Sequence, residues 1–289
     1  MMERPEINFP ISEEMVAAQV EQARTEAARN ENVEIYKRCY SAIDLTQLHV
    51  TDSERHIRAF ASKAVKFPYH FPQVSNVASI CVFPNFVETV GLALGDSDLA
   101  ITSVGAGFPA SQTFLEVKML EVAMAVEHGA DEIDIVINLG AFLDGDYEPV
   151  MEEIAAIRSV AGSDTVLKVI IESGALRGAE EIALASMLAM HAGADFVKTS
   201  TGKIGAAATP EAAVAICMAI QHYYRETGRK VGFKAAGGIR TPQDAALYYT
   251  IVENMLGREW LTPRFFRIGA SSLANSILSA ITGKEVAYY

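Results

Sequence analysis

Short apolar runs typical of β-strands recur along this chain at nearly even intervals. Between them lie longer stretches with the spacing of amphipathic helices. The mean interval is about 32 residues, the length of a strand, a crossover helix and two loops. This alternation predicts a parallel sheet with helices on its outside. The eight runs begin near Ile43, Ala78, Ala100, Glu132, Leu167, Phe196, Val231 and Phe265.

Eight strand-helix units predict a closed (β/α)8 barrel, the TIM barrel. A doubly wound open sheet is the alternative, which the even spacing disfavours. Among the predicted helices, the one over 210–224 has a clear start, because Thr209 is a suitable N-cap and Pro210 suits the first helical position.

The chain divides into three predicted segments. Residues 1–40 are mostly helical in pattern, from Ser12 to Asn30, and form an N-terminal helical extension. Residues 41–280 form the barrel, and residues 281–289 form a C-terminal tail.

Composition narrows the classes of function. Half of the residues are apolar and the net charge is −12. The acidic balance argues against a nucleic-acid binder, which needs a basic face. No apolar run approaches the roughly 18 residues of a membrane span, and the start has no signal-peptide pattern. Three widely spaced cysteines fit neither a disulfide framework nor a zinc site, so we expect a reducing, cytoplasmic location.

Three predicted strands each carry a lysine, although lysine is almost never buried without a partner. Lys198 and Lys234 lie on strands 6 and 7, which are neighbours in a barrel. Two close cations lower the pKa of one of them, and a neutral amine attacks a carbonyl to form a Schiff base. Asp134 on strand 4 and Lys168 on strand 5 complete a proton-transfer network. Alternatively, these lysines pair with interior acids or extend to a strand end.

The loops after strands 7 and 8 predict a phosphate site, as in many barrels of this type. They contain Gly237-Gly238 and Gly269-Ala270-Ser271-Ser272, and Lys203 after strand 6 adds a charge. Glycines allow a close approach of the backbone, and serines add donors. The alternative is an ordinary pair of strand-to-helix turns with serine N-caps. The six histidines lack paired ligand spacing, so we expect no metal.

These features together resemble the deoxyribose-phosphate aldolase family, which consists of class I aldolases with a (β/α)8 barrel. The matching segments run in family order from about residue 41 to 275. The combination of Lys-Thr-Ser-Thr-Gly-Lys with Gly-Phe-Lys-Ala-Ala-Gly-Gly is highly specific. The segments are 43–46, 80–84, 129–134, 167–172, 193–203, 231–240 and 266–273.

The resemblance implies a role for each matching residue. Lys198 matches the Schiff-base lysine, Lys234 the lysine that lowers its pKa, Asp134 the acid/base aspartate and Lys168 its partner in proton relay. The C-terminal Tyr289 matches a tyrosine that contributes from a mobile tail. The expected substrate and phosphate contacts are Asp44, Thr46, Cys81, Thr201, Gly202, Lys203, Gly237, Gly238, Arg240, Gly269, Ser271 and Ser272.

The implied reaction is the reversible cleavage of 2-deoxy-D-ribose 5-phosphate to acetaldehyde and D-glyceraldehyde 3-phosphate, a step of deoxyribonucleotide catabolism, with no cofactor. The partners are then a small phosphorylated sugar and aldehydes, not nucleic acid or membrane. The resemblance also favours a homo-oligomer, as a dimer. Another class I phospho-sugar aldolase and a phospho-sugar-binding sensor without catalysis remain as alternatives.

Overall fold

The computed structural model describes residues 9–205 and 208–289. Eight parallel strands pair in chain order, and β8 pairs with β1 to close the barrel. The predicted (β/α)8 fold is therefore confirmed, and every predicted strand start lies within one residue of the observed one. The strands are β1 Ile43–Thr46, β2 Ser79–Val82, β3 Ala100–Val104, β4 Glu132–Val136, β5 Val166–Ile170, β6 Phe196–Lys198, β7 Gly232–Ala236 and β8 Phe266–Ala270.

Helices surround the barrel. The predicted helix after Thr209 begins at Pro210, and the Thr209 hydroxyl accepts a hydrogen bond from the Ala212 amide at 3.1 Å. The helices are α1 Glu13–Ala27, α2 Val33–Ser41, α3 Glu54–His70, α4 Val87–Leu94, α5 Leu115–Glu127, α6 Leu139–Leu143, α7 Tyr147–Ala161, α8 Ala179–His191, α9 Pro210–Thr227, α10 Pro242–Leu256 and α11 Ser272–Thr282.

Two helices precede the first strand. α1 begins after Ser12, whose hydroxyl caps the Met15 amide, and it buries Val16 and Val20 in the same core as the barrel. The predicted boundary at residue 40 falls near the end of α2, and the first eight residues of the predicted extension lie outside the described residues. Of the helices described, none is long and apolar enough to cross a membrane.

Two Gly-Ala-Asp sequences occupy equivalent places at the amino ends of β4 and β6. Asp131 accepts a hydrogen bond from the backbone amide of Ile101, at 2.8 Å. Asp195 accepts one from Leu167 at 2.9 Å and also binds Arg229 at 2.7 Å. In each case the carboxylate caps the start of the preceding strand. The repeated tripeptide thus fixes neighbouring strands at the end of the barrel opposite the strands' carboxyl ends.

We predict that Asp195→Ala lowers the stability of the fold and leaves the catalytic activity of the folded protein unchanged. The Leu167 amide would lose its charged acceptor, which costs about 1–3 kcal/mol. Urea unfolding should show a lower midpoint, while activity per folded molecule stays unchanged. Asp96→Ala, at an exposed position, is the matched control. Equal stability of the two variants would contradict this role for Asp195.

Candidate active site

A cavity of about 610 Å³ opens at the carboxyl ends of the strands. It is where chemistry is expected in a barrel of this type. Most of the predicted contact residues line it, although they lie on loops far apart in the sequence. The predicted residues in its wall are Thr46, Lys198, Thr201, Gly202, Lys203, Gly237, Gly238, Arg240, Gly269, Ser271 and Ser272.

Beneath this cavity Asp134 contacts all three predicted lysines. Its Oδ1 lies 3.0 Å from Lys168 Nζ, and its Oδ2 lies 2.7 Å from both Lys198 Nζ and Lys234 Nζ. Strand register explains the cluster, because Asp134 lies opposite Lys168 on β4 and β5, and Lys198 lies opposite Lys234 on β6 and β7. All four side chains are buried.

A second carboxylate lies deeper in the barrel. Asp44 on β1 is 2.5 Å from Lys234 and 3.6 Å from Lys168. It also accepts a hydrogen bond from the Ser79 hydroxyl at 2.8 Å and pairs with Arg267 of β8. Asp44 therefore does not line the cavity, contrary to the expectation of a direct substrate contact, but holds two of the lysines from below.

A third carboxylate, Glu132, completes this lower layer. It lies 2.6 Å from Lys168 and 2.7 Å from Arg267, and it accepts a hydrogen bond from the Thr102 hydroxyl at 2.7 Å. Glu132 precedes Asp134 by two residues, so both side chains point into the barrel from the same strand. Lys168 thus bridges the two carboxylates of β4.

The three lysines differ in how fully they are compensated. Burial opposes the charge of Lys168 and Lys234, but their carboxylate neighbours outweigh it and hold both pKa values above the ordinary value. Lys198 has one carboxylate partner, which it shares. Burial lowers the pKa of Lys198; Asp134 opposes this effect, and the charge of Lys234 adds to it. Lys198 is therefore the amine most ready to lose its proton.

Asp134 stays ionised in this environment. Burial by itself raises the pKa of its carboxyl, but Lys168, Lys198 and Lys234 outweigh that cost and hold the pKa well below its usual range. Asp134 therefore presents an ionised carboxylate to the buried Lys198 amine, at 2.7 Å. The arrangement therefore places at the cavity floor an amine that loses its proton more readily than an ordinary lysine, in contact with a carboxylate.

The upper wall of the cavity is suited to an anion. Gly237 and Gly238 have φ of +93° and +85°, a conformation that favours glycine. Ser271 and Ser272 expose their hydroxyls at the N-terminus of α11, where backbone amides and the helix dipole favour negative charge. Lys203 brings its ammonium group to the same wall, where it donates to the Leu48 carbonyl oxygen at 2.5 Å.

Gly269 leaves room for one of the lysines. A Cβ at this position would lie 2.9 Å from the Ala236 Cβ and 3.2 Å from the Lys234 Cε. A larger residue would therefore push Lys234 out of its place between two carboxylates. Gly269 shapes the floor of the cavity as well as its wall.

Cys81 lies beside the cluster rather than in the cavity wall. Its thiol is buried with Leu48 and Val104, and Phe108 packs against this group. Burial, together with the nearby charge of Asp134, raises the pKa of Cys81 to about 11. The thiol is therefore neutral at physiological pH, and Cys81 forms an apolar side of the site.

The C-terminal Tyr289 does not enter the cavity in this structure, contrary to the expectation that it contributes there. Its hydroxyl pairs with that of Tyr40 at 3.4 Å, and its ring packs on Phe60. Asn275 of α11 binds the backbone of both final residues. These contacts hold the tail against α2, α3 and α11 on the outside of the barrel.

Comparison with known proteins agrees with this geometry. The model of the DeoC/LacD family of aldolases matches residues 38–278. The chain belongs to this aldolase family. It is 39% identical over 262 residues to human deoxyribose-phosphate aldolase, with 86% of this chain and 82% of that protein covered.

Bacterial and archaeal proteins are also similar to this aldolase. The Agrobacterium fabrum deoxyribose-phosphate aldolase is 38% identical over 248 residues, covering 86% of this chain and 92% of that protein. The tetrameric structure of deoxyribose phosphate aldolase from Aeropyrum pernix matches with a TM-score of 0.67 at 25% identity. That match covers 91% of this chain and 97% of the archaeal one.

Sequence reasoning missed the lower layer of the aldolase site. Glu132 and Arg267 were not among the predicted functional residues, nor were the Ser79 and Thr102 hydroxyls that join them. The period of two along a strand was the available signal, since Glu132 shares a face with Asp134. The other cavity residues without a predicted role are Leu48, His49, Ala236, Ile239 and Ala270.

Proposed function

We infer that this chain is a deoxyribose-phosphate aldolase, which reversibly cleaves 2-deoxy-D-ribose 5-phosphate to acetaldehyde and D-glyceraldehyde 3-phosphate. The observation that carries this inference is the placement of Lys198. Burial lowers the pKa of its amine, which lies 2.7 Å from the Asp134 carboxylate and faces a cavity whose far wall suits a phosphate. Family membership supports the same reaction.

The proposed cycle begins with attack of the neutral Lys198 amine on the C1 aldehyde of the open-chain sugar. Loss of water from the carbinolamine leaves a protonated imine. The C2–C3 bond then breaks, its electron pair forms an enamine between C2 and C1, and the C3 hydroxyl loses its proton to become the aldehyde of glyceraldehyde 3-phosphate. Protonation of the enamine at carbon and hydrolysis of the imine release acetaldehyde and restore Lys198.

Asp134 and Lys168 are proposed to move the protons of this cycle. Asp134 contacts the Lys198 amine through Oδ2 and the Lys168 ammonium through Oδ1, so a proton accepted on one side can be replaced from the other. Lys234 is proposed to keep Lys198 deprotonated through its positive charge, in addition to the larger effect of burial. Neither Lys168 nor Lys234 reaches the cavity wall.

Phosphate recognition is proposed for the upper wall. Two glycine amides after β7, the first turn of α11 and the Lys203 ammonium converge there. Thr201 shapes this wall, since its hydroxyl accepts a hydrogen bond from the Lys203 amide at 3.0 Å. Arg240, which is exposed at the rim, adds a further positive charge.

We further propose that the chain forms a homo-oligomer, with a dimer as the expected state. An exposed apolar face on α4 and α5 supports a second copy as its occupant, and the Aeropyrum pernix aldolase structure is described as tetrameric. Light scattering at twice the 31.2 kDa chain mass would support the dimer, and the chain mass alone would contradict any oligomer. The face consists of Leu92 on α4, Phe114 immediately before α5, and Val117, Leu120 and Met124 on α5.

A cytoplasmic location is also proposed. Cys39, Cys81 and Cys217 are all buried free thiols, as expected in a reducing compartment. Recovery of the protein in the cytosolic fraction would support this location, and recovery with an oxidising compartment would contradict it.

Reduction with borohydride in the presence of deoxyribose phosphate should attach a carbon chain to Lys198, because the amine forms the imine. Peptide mass spectrometry locates the adduct. Lys198→Arg should abolish labelling, while Lys230→Arg, at a lysine that stacks on Trp260, should leave it intact. An adduct on Lys234 with Lys198 unmodified would contradict the assignment. Analysis of the reaction products distinguishes this activity from that of other class I aldolases.

Ser272→Ala should lower kcat/KM for the phosphorylated sugar by about 10-fold to 100-fold, the value of a hydrogen bond to a charged group. Ser272→Asp should have a larger effect, because a negative charge repels the phosphate. Unphosphorylated deoxyribose should be affected little. Ser276→Ala, one turn further along α11, is the matched control. Equal losses on both sugars would show that Ser272 supports the fold rather than the ligand.

A further inference from the structure

Glu132 and Arg267 form a buried ion pair on the side of the cluster away from the cavity. The Arg267 Nη2 lies 2.7 Å from Glu132 Oε1, and the guanidinium also pairs with Asp44. The Arg267 Cζ lies 5.8 Å from the centre of the Phe196 ring. Neither residue lines the cavity or touches the Lys198 amine. A stability role alone gives weak reason for such a pair, since an apolar pair of similar volume is often as stable.

The net charge of the buried side chains around this ion pair points to its role. Three carboxylates, Asp44, Glu132 and Asp134, are in contact with four cationic side chains. If all were ionised, the buried cluster would carry one excess positive charge. With Lys198 neutral the cluster carries none. The four cationic side chains are Lys168, Lys198, Lys234 and Arg267.

We propose that Glu132 and Arg267 are positioning residues that fix this count of buried charges and thereby keep the Lys198 amine unprotonated. An uncompensated positive charge in an interior of low dielectric raises the free energy of the fold. The cationic side chain with the fewest carboxylate contacts therefore loses its proton most readily. Lys198 has one carboxylate contact, which it shares, whereas Lys168 and Lys234 each have at least two. The proton is therefore lost from Lys198.

The other ionisable groups near Lys198 do not change the net charge of the cluster. The Cys81 thiol on β2 is neutral, because burial raises its pKa to about 11. Glu172, after β5, accepts a hydrogen bond from the Thr201 backbone amide at 3.2 Å. Lys203 reaches the Leu48 carbonyl oxygen at the mouth of the cavity. Beyond these groups, the other six members of the cluster lie on β1, β4, β5, β7 and β8.

Removing either partner should move the protonation of Lys198 in a defined direction. Arg267→Met leaves the cluster one charge more negative, so a proton on Lys198 becomes favourable and its pKa rises. Glu132→Gln leaves the cluster one charge more positive, so the pKa of Lys198 falls. The double variant restores the original count. Damage to the fold alone would not produce shifts of opposite sign that cancel.

The experiment follows imine formation with acetaldehyde, which has no ionisable group, as a function of pH. Cyanoborohydride traps the imine as an N-ethyl group on Lys198, and intact-mass spectrometry gives the rate. The acid limb of the pH profile is the range in which the rate falls because Lys198 becomes protonated. In Arg267→Met the midpoint of this limb should rise by about one pH unit or more, and in Glu132→Gln it should fall. The double variant should return to the wild-type limb.

Two further comparisons guard against misfolding and nonspecific effects. Arg267→Lys keeps the charge and should keep the limb in place even if the rate falls. Arg177→Met and Glu181→Gln remove the same charges from an exposed ion pair on the outside of the barrel and should not move the limb. The proposal would be overturned if both single variants shifted the acid limb in the same direction. It would also be overturned if the double variant did not return to the wild-type pH profile.

This inference rests on the proposed aldolase function, and the two fail differently. If the wild-type chain forms no imine with acetaldehyde at any pH, the proposed function is wrong. If the wild type forms the imine on Lys198 but the Glu132 and Arg267 variants keep its pH profile, the function stands and the charge-balance role is wrong.

Discussion

The Asp134 carboxylate holds lysines from three neighbouring strands with its two oxygens, and the rest of the site depends on this contact. One carboxylate cannot neutralise three ammonium groups in a buried environment, so further negative charge is needed beneath it. Asp44 and Glu132 supply that charge, and each contacts lysine as well as Arg267. The compensation is complete for Lys168 and Lys234 and incomplete for Lys198. The amine that faces the cavity is thereby left reactive.

The closed barrel makes such a cluster possible. Side chains alternate along each strand, so every second residue points inward, and neighbouring strands bring inward residues into register. Lys198 lies opposite Lys234, and Lys234 lies opposite Arg267, in consecutive pairs across β6, β7 and β8. The loops that follow the same strands form the cavity wall above. The buried ionic cluster and the proposed phosphate site therefore lie one above the other along the barrel axis, and Lys198 lies between them.

Much of this arrangement could be predicted from the sequence. The strand positions follow from the even spacing of apolar runs, because each strand-helix unit has a characteristic length. Lysines inside apolar strands are rare enough to indicate chemistry, and the glycine and serine pairs indicate an anion site. Glu132 and Arg267 were missed because contacts between β4 and β8 depend on closure of the barrel, which no local pattern records. The docking of Tyr289 on Tyr40 likewise depends on packing between helices that are distant in sequence.

Direct measurement of the lysine pKa values would test the central claim, that Lys198 loses its proton most readily of the three lysines that contact Asp134. Protein labelled with ¹³C-lysine can be titrated by NMR, and the side-chain signal that disappears in Lys198→Met identifies the residue. The Lys198 signal should titrate well below the ordinary value of about 10.4, while those of Lys168 and Lys234 stay in the charged form throughout. A Lys198 signal that titrates at or above the ordinary value, or a low-titrating signal that belongs to Lys234, would contradict this account.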